Sequence, residues 1–421
     1  MEGGEPLLAT DPWLLGSNYW RSWWLEKYPV QSEIELVRRT QEIYITHSHP
    51  DHFHWPSLRA LGPRPTLHPR FPGYKVPDFL NSNGYPAQIL EPWRWRSLSD
   101  RVRICSIPVP FDDSILVIDT PDALIINLND SSPRPALVAY IRRWLPSGRK
   151  MIIALKSYSP ASAGIAFFRN GVRLPFKTKE DYATVAWEIS RGLGATHFVP
   201  FASQAFFNRS DSRWANEYKV TYEDLRRYWK SGGPTLCPPF IDMNLLTGDY
   251  VSAYTGAPGT LDRKQLEKIA AREDEEKRFT PPEDFEVKLK AYIEDILPYR
   301  FLFRSGIGWR LSTSRTERFY NFRTRAVEQA ILPDYDFIIT IPDQVLYEAL
   351  SNGVLTDIGI TMLIRVDTRV SLKLTYAAFL LMGMRDYGYL QGPAAFLRFL
   401  RYYLPYVFPS LLRARALIVA P

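Results

Sequence analysis

The chain has 421 residues, of which 46% are hydrophobic and 14% aromatic, and its formal net charge is +7. The length allows two domains, and the apolar content excludes a disordered or collagen-like chain. The basic residues are spread along the chain rather than gathered into blocks. The net charge permits an acidic partner, such as a nucleotide, a nucleotide-sugar or an anionic lipid surface, and we do not expect a nucleic acid.

Cysteine use and the chain start indicate the compartment. Cys105 and Cys237 are too few for a disulfide framework, and neither belongs to a Cys-x-x-Cys pair. Residues 1–5 are acidic and glycine-rich, without the basic start and apolar stretch of a signal peptide. No apolar run reaches the roughly 18 residues that a membrane span needs. The sequence predicts a cytoplasmic protein without a transmembrane segment.

The first elements in chain order are a short strand at residues 7–10 and an aromatic run that includes Tyr19 and Trp23. Asp11, between them, is expected either to orient a metal-binding histidine or to begin a turn. The aromatic run is expected either to roof a substrate cleft or to lie in the core.

A cluster of metal-ligating residue types follows the alternating apolar segment 43–45. Its members are His47, His49, Asp51 and His52. Four of the six histidines lie between positions 47 and 54, so a chance cluster is a poor explanation. A tight loop after a strand can turn His47 and His49 to one side and Asp51 and His52 to the other. Two neighbouring metal positions can then share one loop, with ligands that suit zinc or iron.

The sequence after the cluster predicts several further helices and strands. A helix is predicted to start near Trp55, and residues 63–85 read as a loop that leaves His68 at the surface. His197 begins a predicted strand and is interpreted as structural. The remaining predicted elements are strands at 101–107, 115–118, 123–128, 151–155 and 196–201 and an amphipathic helix at 179–193.

A charged segment that ends in a proline pair at residues 281–282 marks the expected domain boundary. The predicted division is a first domain at residues 1–260, a charged linker or helix at 261–284 and a smaller α+β domain at 285–421. Strands are predicted there at 337–341 and 362–366. The aromatic tail around Arg398 and Arg401 fits either a helix that packs on its own domain, which we favour, or peripheral contact with an anionic membrane.

Several motifs together resemble the catalytic part of the CMP-N-acetylneuraminate hydroxylase family, which has the metallo-β-lactamase fold. The similar stretches are 11–16, Trp23-Trp24, the histidine cluster, 55–58, 127–130, 200–202 and Ser210-Asp211. The resemblance covers residues 7–250 and continues faintly beyond them. It implies an α/β fold, an αββα sandwich with metals at one edge between two sheets.

The resemblance also implies ligands, and here the sequence departs from the pattern. Asp130, after the buried strand 123–128, matches a carboxylate that bridges two metals. The imidazole expected near Pro108 is absent, as is the last histidine expected in 202–209. We expect Asp112 or Asp113 to replace the former, which would shift the preference from Zn towards Fe or Mn.

Three functions follow as hypotheses. The first is a non-haem iron oxygenase or hydroxylase that acts on a nucleotide-sugar or similar polar metabolite. The family's Rieske iron–sulfur module has no counterpart in this sequence, so electrons would come from an external electron-transfer protein. The second is a hydrolase of an ester, phosphodiester or lactone, in which Asp51 orients a metal-activated water. The third is a degenerate scaffold that binds without turnover.

Overall fold

The computed structural model describes residues 1–109, 113–296 and 298–407. The strands, numbered in chain order, are β1 (Leu8–Thr10), β2 (Ser17–Asn18), β3 (Trp23–Leu25), β4 (Glu42–Tyr44), β5 (Thr66–His68), β6 (Ala87–Ile89), β7 (Arg96–Ser97), β8 (Arg103–Val109), β9 (Asp113–Asp119), β10 (Ala123–Asn129), β11 (Met151–Lys156), β12 (Phe167–Arg169), β13 (Val172–Arg173), β14 (His197–Pro200), β15 (Ala205–Phe207), β16 (Thr235–Leu236), β17 (Ile241–Met243), β18 (Tyr250–Ser252), β19 (Gly306–Leu311), β20 (Thr316–Asn321), β21 (Ala326–Glu328), β22 (Phe337–Ile341) and β23 (Arg365–Thr368).

The helices are α1 (Gln31–Arg38), α2 (Trp55–Leu61), α3 (Val76–Ser82), α4 (Pro135–Trp144), α5 (Lys179–Gly192), α6 (Tyr222–Tyr228), α7 (Arg263–Arg278), α8 (Phe285–Glu294), α9 (Tyr299–Leu302), α10 (Asp343–Asn352), α11 (Leu372–Asp386) and α12 (Pro393–Val407). Short 3₁₀ turns lie at Ala163–Ala166, Arg213–Tyr218 and Leu355–Gly359. No helix within these described stretches is long and apolar enough to cross a membrane.

Two sheets face each other in the first part of the chain. The smaller sheet has the order β1-β4-β5-β6 and is parallel throughout. The larger has the order β16-β14-β11-β10-β9-β8-β7. Tyr44 and Leu67 of the smaller sheet pack against Ile104 and Leu116 of the larger in one buried cluster. The space between the two sheets is therefore buried and mainly apolar, and within it the Tyr44 hydroxyl contacts Ser106 Oγ and Ser114 Oγ at 2.8 Å.

Helices cover the outer faces of both sheets. Because side chains alternate along a strand, Ile43 points away from Tyr44 and packs with Leu58 of α2 and Leu80 of α3. On the other side, α4 and α5 pack against β8, β9 and β10. The order helix, sheet, sheet, helix confirms the predicted αββα sandwich.

A third sheet has the order β13-β12-β23-β22-β19-β20-β21. Its strand β22 has the predicted bounds, whereas the second predicted strand begins three residues late, at Arg365. The β12–β13 hairpin comes from the middle of the chain and joins this sheet through parallel pairing of β12 with β23. The division at residues 260 and 285 stays a prediction, and this hairpin crosses it.

The predicted charged linker contains α7, which packs against both neighbouring parts of the chain. Glu276 is 3% exposed and pairs in two places with the buried guanidinium of Arg209. One turn earlier, Arg272 donates to Glu276 and to Glu348 of α10. The helix is therefore an ion-paired tie between the sandwich and the later sheet.

The segment 63–85, expected to be a loop, contains β5 and α3. The expectation that His68 lies at the surface is wrong: the residue is 0% exposed on a central parallel strand, and its Nε2 contacts Thr66 Oγ1 at 2.9 Å. The prolines of this segment lie beside short elements, and Pro77 occupies the first turn of α3, where proline is tolerated.

The C-terminal helix α12 packs on the first core through Phe399 and Tyr403, which are buried. Leu397, Leu400 and Leu404 are exposed on the same helix. The helix thus packs on the protein itself, as the favoured alternative requires, but among the described residues its contacts are with the core of the sandwich and not with the core of the later sheet. Membrane contact stays a prediction.

Candidate metal centre

The four clustered ligands lie in the loop between β4 and α2, at the edge where the two sheets meet. His47 and His52 are buried, and Asp51 is partly buried. The loop closes on itself, since the backbone N–H of His52 and of Phe53 both donate to the His49 carbonyl. Helix α2 begins at Trp55, as predicted, with His54 as its N-cap. This turn holds the imidazoles together.

Ring nitrogens and carboxylates converge within the loop. His47 Nε2 lies 2.9 Å from His49 Nδ1, close to the spacing of two imidazole nitrogens on one metal ion. His52 Nε2 lies 3.5 Å from Asp51 Oδ2 and 3.4 Å from Asp130 Oδ2. One ligand atom each from His47, His52 and Asp130 falls within 4.8 Å of the others. This donor set fits a metal ion such as zinc or iron.

The remaining nitrogens of two histidines meet fixed partners. His52 Nδ1 lies 2.9 Å from Asp11 Oδ2, and Asp11 also accepts from the backbone and the hydroxyl of Thr46 at 2.8 and 2.6 Å. His47 Nδ1 lies 3.0 Å from Thr46 Oγ1. Because the Thr46 hydroxyl donates to Asp11, it accepts from His47, which leaves His47 Nε2 with its lone pair. Asp11 thus has the contacts expected of a residue that orients a ligand.

Asp112 and Asp113 were the two residues predicted to replace the missing imidazole, and the structure describes only the second of them. Asp112 lies outside the described residues. Asp113 Oδ1 lies 3.5 Å from His47 Nδ1, and its carboxylate also accepts hydrogen bonds from Ser114 N, Asn129 Nδ2 and Ser131 Oγ. Asp113 is therefore a neighbour of the centre, and both of its carboxylate oxygens already accept hydrogen bonds from protein groups.

Asp130 reaches the cluster because β10 ends in a bend. The pairing of β10 with β11 shifts register between Asn127 and Asn129, and Asn129 adopts a φ of 40°, which asparagine tolerates better than most residues. The Asn129 side chain bonds to Asp113 and to the Ser114 carbonyl at 2.9 and 2.8 Å. The bend therefore fixes where Asp130 and Asp113 stand relative to each other.

Burial and acidic neighbours determine the electrostatics. Burial lowers the pKa of His47 and of His49. Burial also opposes charge on His52, but Asp51, Asp11 and Asp130 outweigh it and raise that pKa. Burial and the charge of Asp130 raise the pKa of Asp113 to about 7. Carboxylates therefore crowd this pocket, and a bound cation would relieve their repulsion.

A cleft of about 740 Å³ opens beside the cluster, and a second cleft of about 630 Å³ adjoins it. Both are lined by Trp23, Asp51 and Ala202, so Trp23 has the cleft position considered for the aromatic run. Trp23 and Tyr19 are both buried in one cluster, and the Tyr19 hydroxyl donates to Asp51 Oδ1 at 2.6 Å. Lysines 156, 177 and 219 line the larger cleft together with several serine hydroxyls.

Some residues stand apart from the cluster, and others were missed by sequence reasoning. His197 begins β14, and its Nδ1 contacts Thr196 Oγ1 at 2.9 Å. Lys156, a cation at the end of an apolar strand, is 3% exposed and donates to the Ser131 carbonyl at 2.8 Å. A lone lysine directly after an apolar run could have marked Lys156 as a candidate site residue. Asp357 and Tyr387 approach His49 Nε2, at 4.0 and 3.4 Å, and carry no local motif.

No protein-family model matches the chain. The CMP-N-acetylneuraminic acid hydroxylase of Sus scrofa is 36% identical over 87 residues, which is 20% of each chain. That of Asterias rubens is 38% identical over 61 residues, 14% of this chain and 9% of the relative. The inactive human protein of that name is 22% identical over 326 residues, 72% of this chain and 59% of the relative. The chain therefore spans less than two thirds of each of these relatives.

Solved structures give partial overlaps. CmlA, a diiron beta-hydroxylase from Streptomyces venezuelae, has 13% identity and a TM-score of 0.35, covering 55% of this chain and 49% of that one. The isothiocyanate hydrolase from Delia radicum gut bacteria has 16% identity and a TM-score of 0.36, covering 52% and 84%. The fold itself rests on the layers described above. The chain is thus a protein of the metallo-β-lactamase fold that resembles CMP-N-acetylneuraminic acid hydroxylases over part of its length.

Proposed function

We propose that the chain is a non-haem iron hydroxylase that acts on a nucleotide-sugar or a related anionic metabolite. The observation that carries the proposal is the convergence of His47, His52 and Asp130 within 4.8 Å in a pocket with further carboxylates. Mixed imidazole and carboxylate donors suit iron, manganese and zinc, and a larger carboxylate share favours the harder ions. Zinc and manganese remain the alternatives to iron.

The residues have separate roles in this proposal. His47, His49, Asp51, His52 and Asp130 would hold the metal, and iron in such a site would supply the reaction with O₂. Asp51 faces both clefts, and the Tyr19 hydroxyl fixes one of its oxygens at 2.6 Å. Asp51 is therefore the carboxylate best placed to move a proton between the centre and a bound substrate.

The larger cleft fits an anionic substrate with a planar group. Its volume of about 740 Å³ lies within the range usual for small-molecule sites. Lys156 and Lys177 supply positive charge, while Trp23, Phe176 and Tyr182 supply flat apolar surface. The names of the relatives specify CMP-N-acetylneuraminic acid, which combines phosphate, carboxylate and a nucleobase. That compound is the first substrate to test.

Hydroxylation also needs electrons. One C–H bond of the substrate becomes C–OH while the second oxygen atom of O₂ leaves as water, which consumes two electrons and two protons. Cys105 and Cys237 are both buried and sequentially isolated, so they cannot hold an iron–sulfur cluster. The electrons would therefore come from outside the given residues, for instance from a separate electron-transfer protein, and the net charge of +7 suits an acidic carrier.

A metal-dependent hydrolase is the second candidate, and the isolated cysteines favour it because hydrolysis needs no electrons. A zinc ion would lower the pKa of a bound water to near neutrality. Asp51 would then orient that water or accept its proton. Ester, phosphodiester and lactone substrates are all compatible with the clefts.

Incubation with CMP-N-acetylneuraminic acid, a ferredoxin-type carrier and its reductase, with and without air, tests the proposal. The expected result is a product one oxygen atom heavier by mass spectrometry, formed only in air. His47→Ala protein is the control for metal-independent chemistry. Equal product yields under strict anaerobiosis would contradict the hydroxylase and leave hydrolysis as the better account.

A further inference from the structure

The ring of His49 is oriented differently from those of its two neighbours. Its Nδ1 faces His47 Nε2 at 2.9 Å, so its metal-facing nitrogen is the one nearer its backbone. Its Nε2 points the other way, to the part of the chain that follows residue 350. There the Tyr387 hydroxyl lies at 3.4 Å and Asp357 Oδ1 at 4.0 Å. Two residues of the later sheet's helical layer thus border a residue of the metal loop.

Asp357 stands on a rigid support. It lies in the 3₁₀ turn Leu355–Gly359, and the turn is held by Asp386, which accepts a hydrogen bond from Thr356 N at 2.7 Å. Asp386 ends α11, and Tyr387 follows it directly. One anchor therefore fixes both residues that approach His49. Asp357 is only 8% exposed, so its side chain is directed into the protein rather than into solvent.

The Asp357 carboxylate lacks the partners that a buried acid normally has. Among the described residues, none donates a hydrogen bond to it. Its acidic neighbours include Asp386 and Asp51. Buried carboxylates are ordinarily hydrogen-bonded or paired with a cation. His49 Nε2 is the ring nitrogen that faces this carboxylate, at 4.0 Å from Asp357 Oδ1.

We infer that Asp357 is a positioning residue of the metal centre, which holds the proton of His49 on Nε2 so that Nδ1 remains the ligand nitrogen. This inference rests on the proposed function, since it assumes a metal at the histidine loop. At 4.0 Å the contact is longer than a hydrogen bond, and a small rotation of the ring or a bridging water would complete it. Carboxylates that orient metal-binding histidines in this way raise ligand basicity and metal affinity.

The inference makes the later part of the chain a component of the centre. Asp11 orients His52 from the end of β1, which pairs with the strand before the loop. Asp357 reaches His49 from more than 300 positions away in the sequence. The tie through α7 and the packing of α11 on the first core keep that distant residue in place.

Equilibrium titration of the full-length, metal-stripped protein with Co²⁺, followed by visible absorption, tests the inference. Asp357→Ala should weaken Co²⁺ binding by roughly 10–100-fold, the range typical for residues that orient ligands, and should alter the ligand-field bands. Asp357→Asn retains a carbonyl acceptor and should be affected less. Asp367→Ala, which removes a partly buried carboxylate paired with Arg365 on β23, is the matched control and should bind as the unmodified protein does.

The outcomes separate the two proposals. Unchanged affinity and spectrum in Asp357→Ala, or equal losses in Asp357→Ala and Asp367→Ala, would overturn the role of Asp357 alone. Failure of the unmodified protein to bind Co²⁺ would overturn the metal centre itself and, with it, that role. Circular dichroism checks that each variant is folded. If Asp357→Ala is not folded, Asp357→Leu, which fills a similar space without an acceptor, takes its place. Unchanged Co²⁺ binding by that variant, with unchanged ¹⁵N shifts of the His49 ring, overturns the inference.

Discussion

At the scale of single residues, the histidines of the loop act through both ring nitrogens. His47 and His52 each direct Nδ1 to a neighbour that fixes the ring, Thr46 in one case and Asp11 in the other. Nitrogens that are held in this way lose little orientational freedom when they bind a metal. The geometry of the centre therefore depends on Thr46 and Asp11, which orient the histidine rings, as well as on the metal-binding residues themselves.

Replacement of His49 by alanine should remove most bound metal while the fold remains. The side chain is 29% exposed, so its loss leaves no large cavity in the core, whereas the centre loses a direct ligand bond. The loss of affinity should exceed the roughly 10–100-fold expected for orienting residues. Metal content by mass spectrometry after dialysis measures this.

His197→Ala is the matched control for that variant, because His197 lies at the start of β14 and contacts Thr196 rather than the cluster. Stoichiometric metal with unaltered affinity in His49→Ala would refute its assignment as a ligand.

Replacement of Tyr19 by phenylalanine should reduce turnover without loss of metal. The hydroxyl donates to Asp51 at 2.6 Å, and its removal frees that carboxylate to rotate. We expect a fall of about 10-fold or more in kcat, in keeping with proton transfer by a positioned group, with little change in KM. Tyr28→Phe, which removes the hydroxyl that donates to the Gly16 carbonyl, is the control. Parallel loss of metal in Tyr19→Phe would contradict the separation of roles.

At the scale of elements, strand ends and their bends bring the site together. Sequence patterns predicted the strand before the histidine loop and the helix after it, because alternation and chain spacing are local properties. Asp130 was expected from the family resemblance. The contacts of Asp357 and Tyr387 with His49 were not predictable, since they depend on how two sheets pack. Lys156 ends a strand that was predicted, but its role depends on Ser131 of another element.

Helix α7 gives a second element-scale case. The charge run at 272–278 suggested a solvated helix and linker, yet Glu276 and Arg209 form a buried pair. The charge composition of a short segment does not show which of its carboxylates forms an ion pair with an arginine far away in the sequence. The ion-pair partner lies more than 60 positions earlier, outside any periodic pattern.

Glu276→Ala should destabilise the protein by about 1–3 kcal/mol, because the buried Arg209 loses one of its two described carboxylate partners and keeps the other, Asp211. Urea unfolding measured by circular dichroism provides the free energy. Glu267→Ala on the same helix removes an exposed partner of Arg263 and should have little effect. Similar losses in the two variants would contradict the description of α7 as a buried tie.

At the scale of the whole molecule, the net charge of +7 bears on how electrons arrive. An acidic carrier would be attracted over a distance set by the Debye length, which falls from about 30 Å at about 0.01 M salt to about 8 Å at 0.15 M. Carrier-dependent turnover should therefore decrease steeply over this range. Turnover driven by a small neutral reductant is the control and should change little. Equal salt dependence with both reductants would refute charge-guided docking.

Metal analysis of protein purified without oxygen tests the central claim most directly. The proposed hydroxylase predicts iron at or near stoichiometric amounts, lost together in His47→Ala and His52→Ala protein. Stoichiometric zinc would favour the hydrolase instead. Protein that binds no iron, zinc or manganese even after reconstitution would contradict the metal centre on which the account rests.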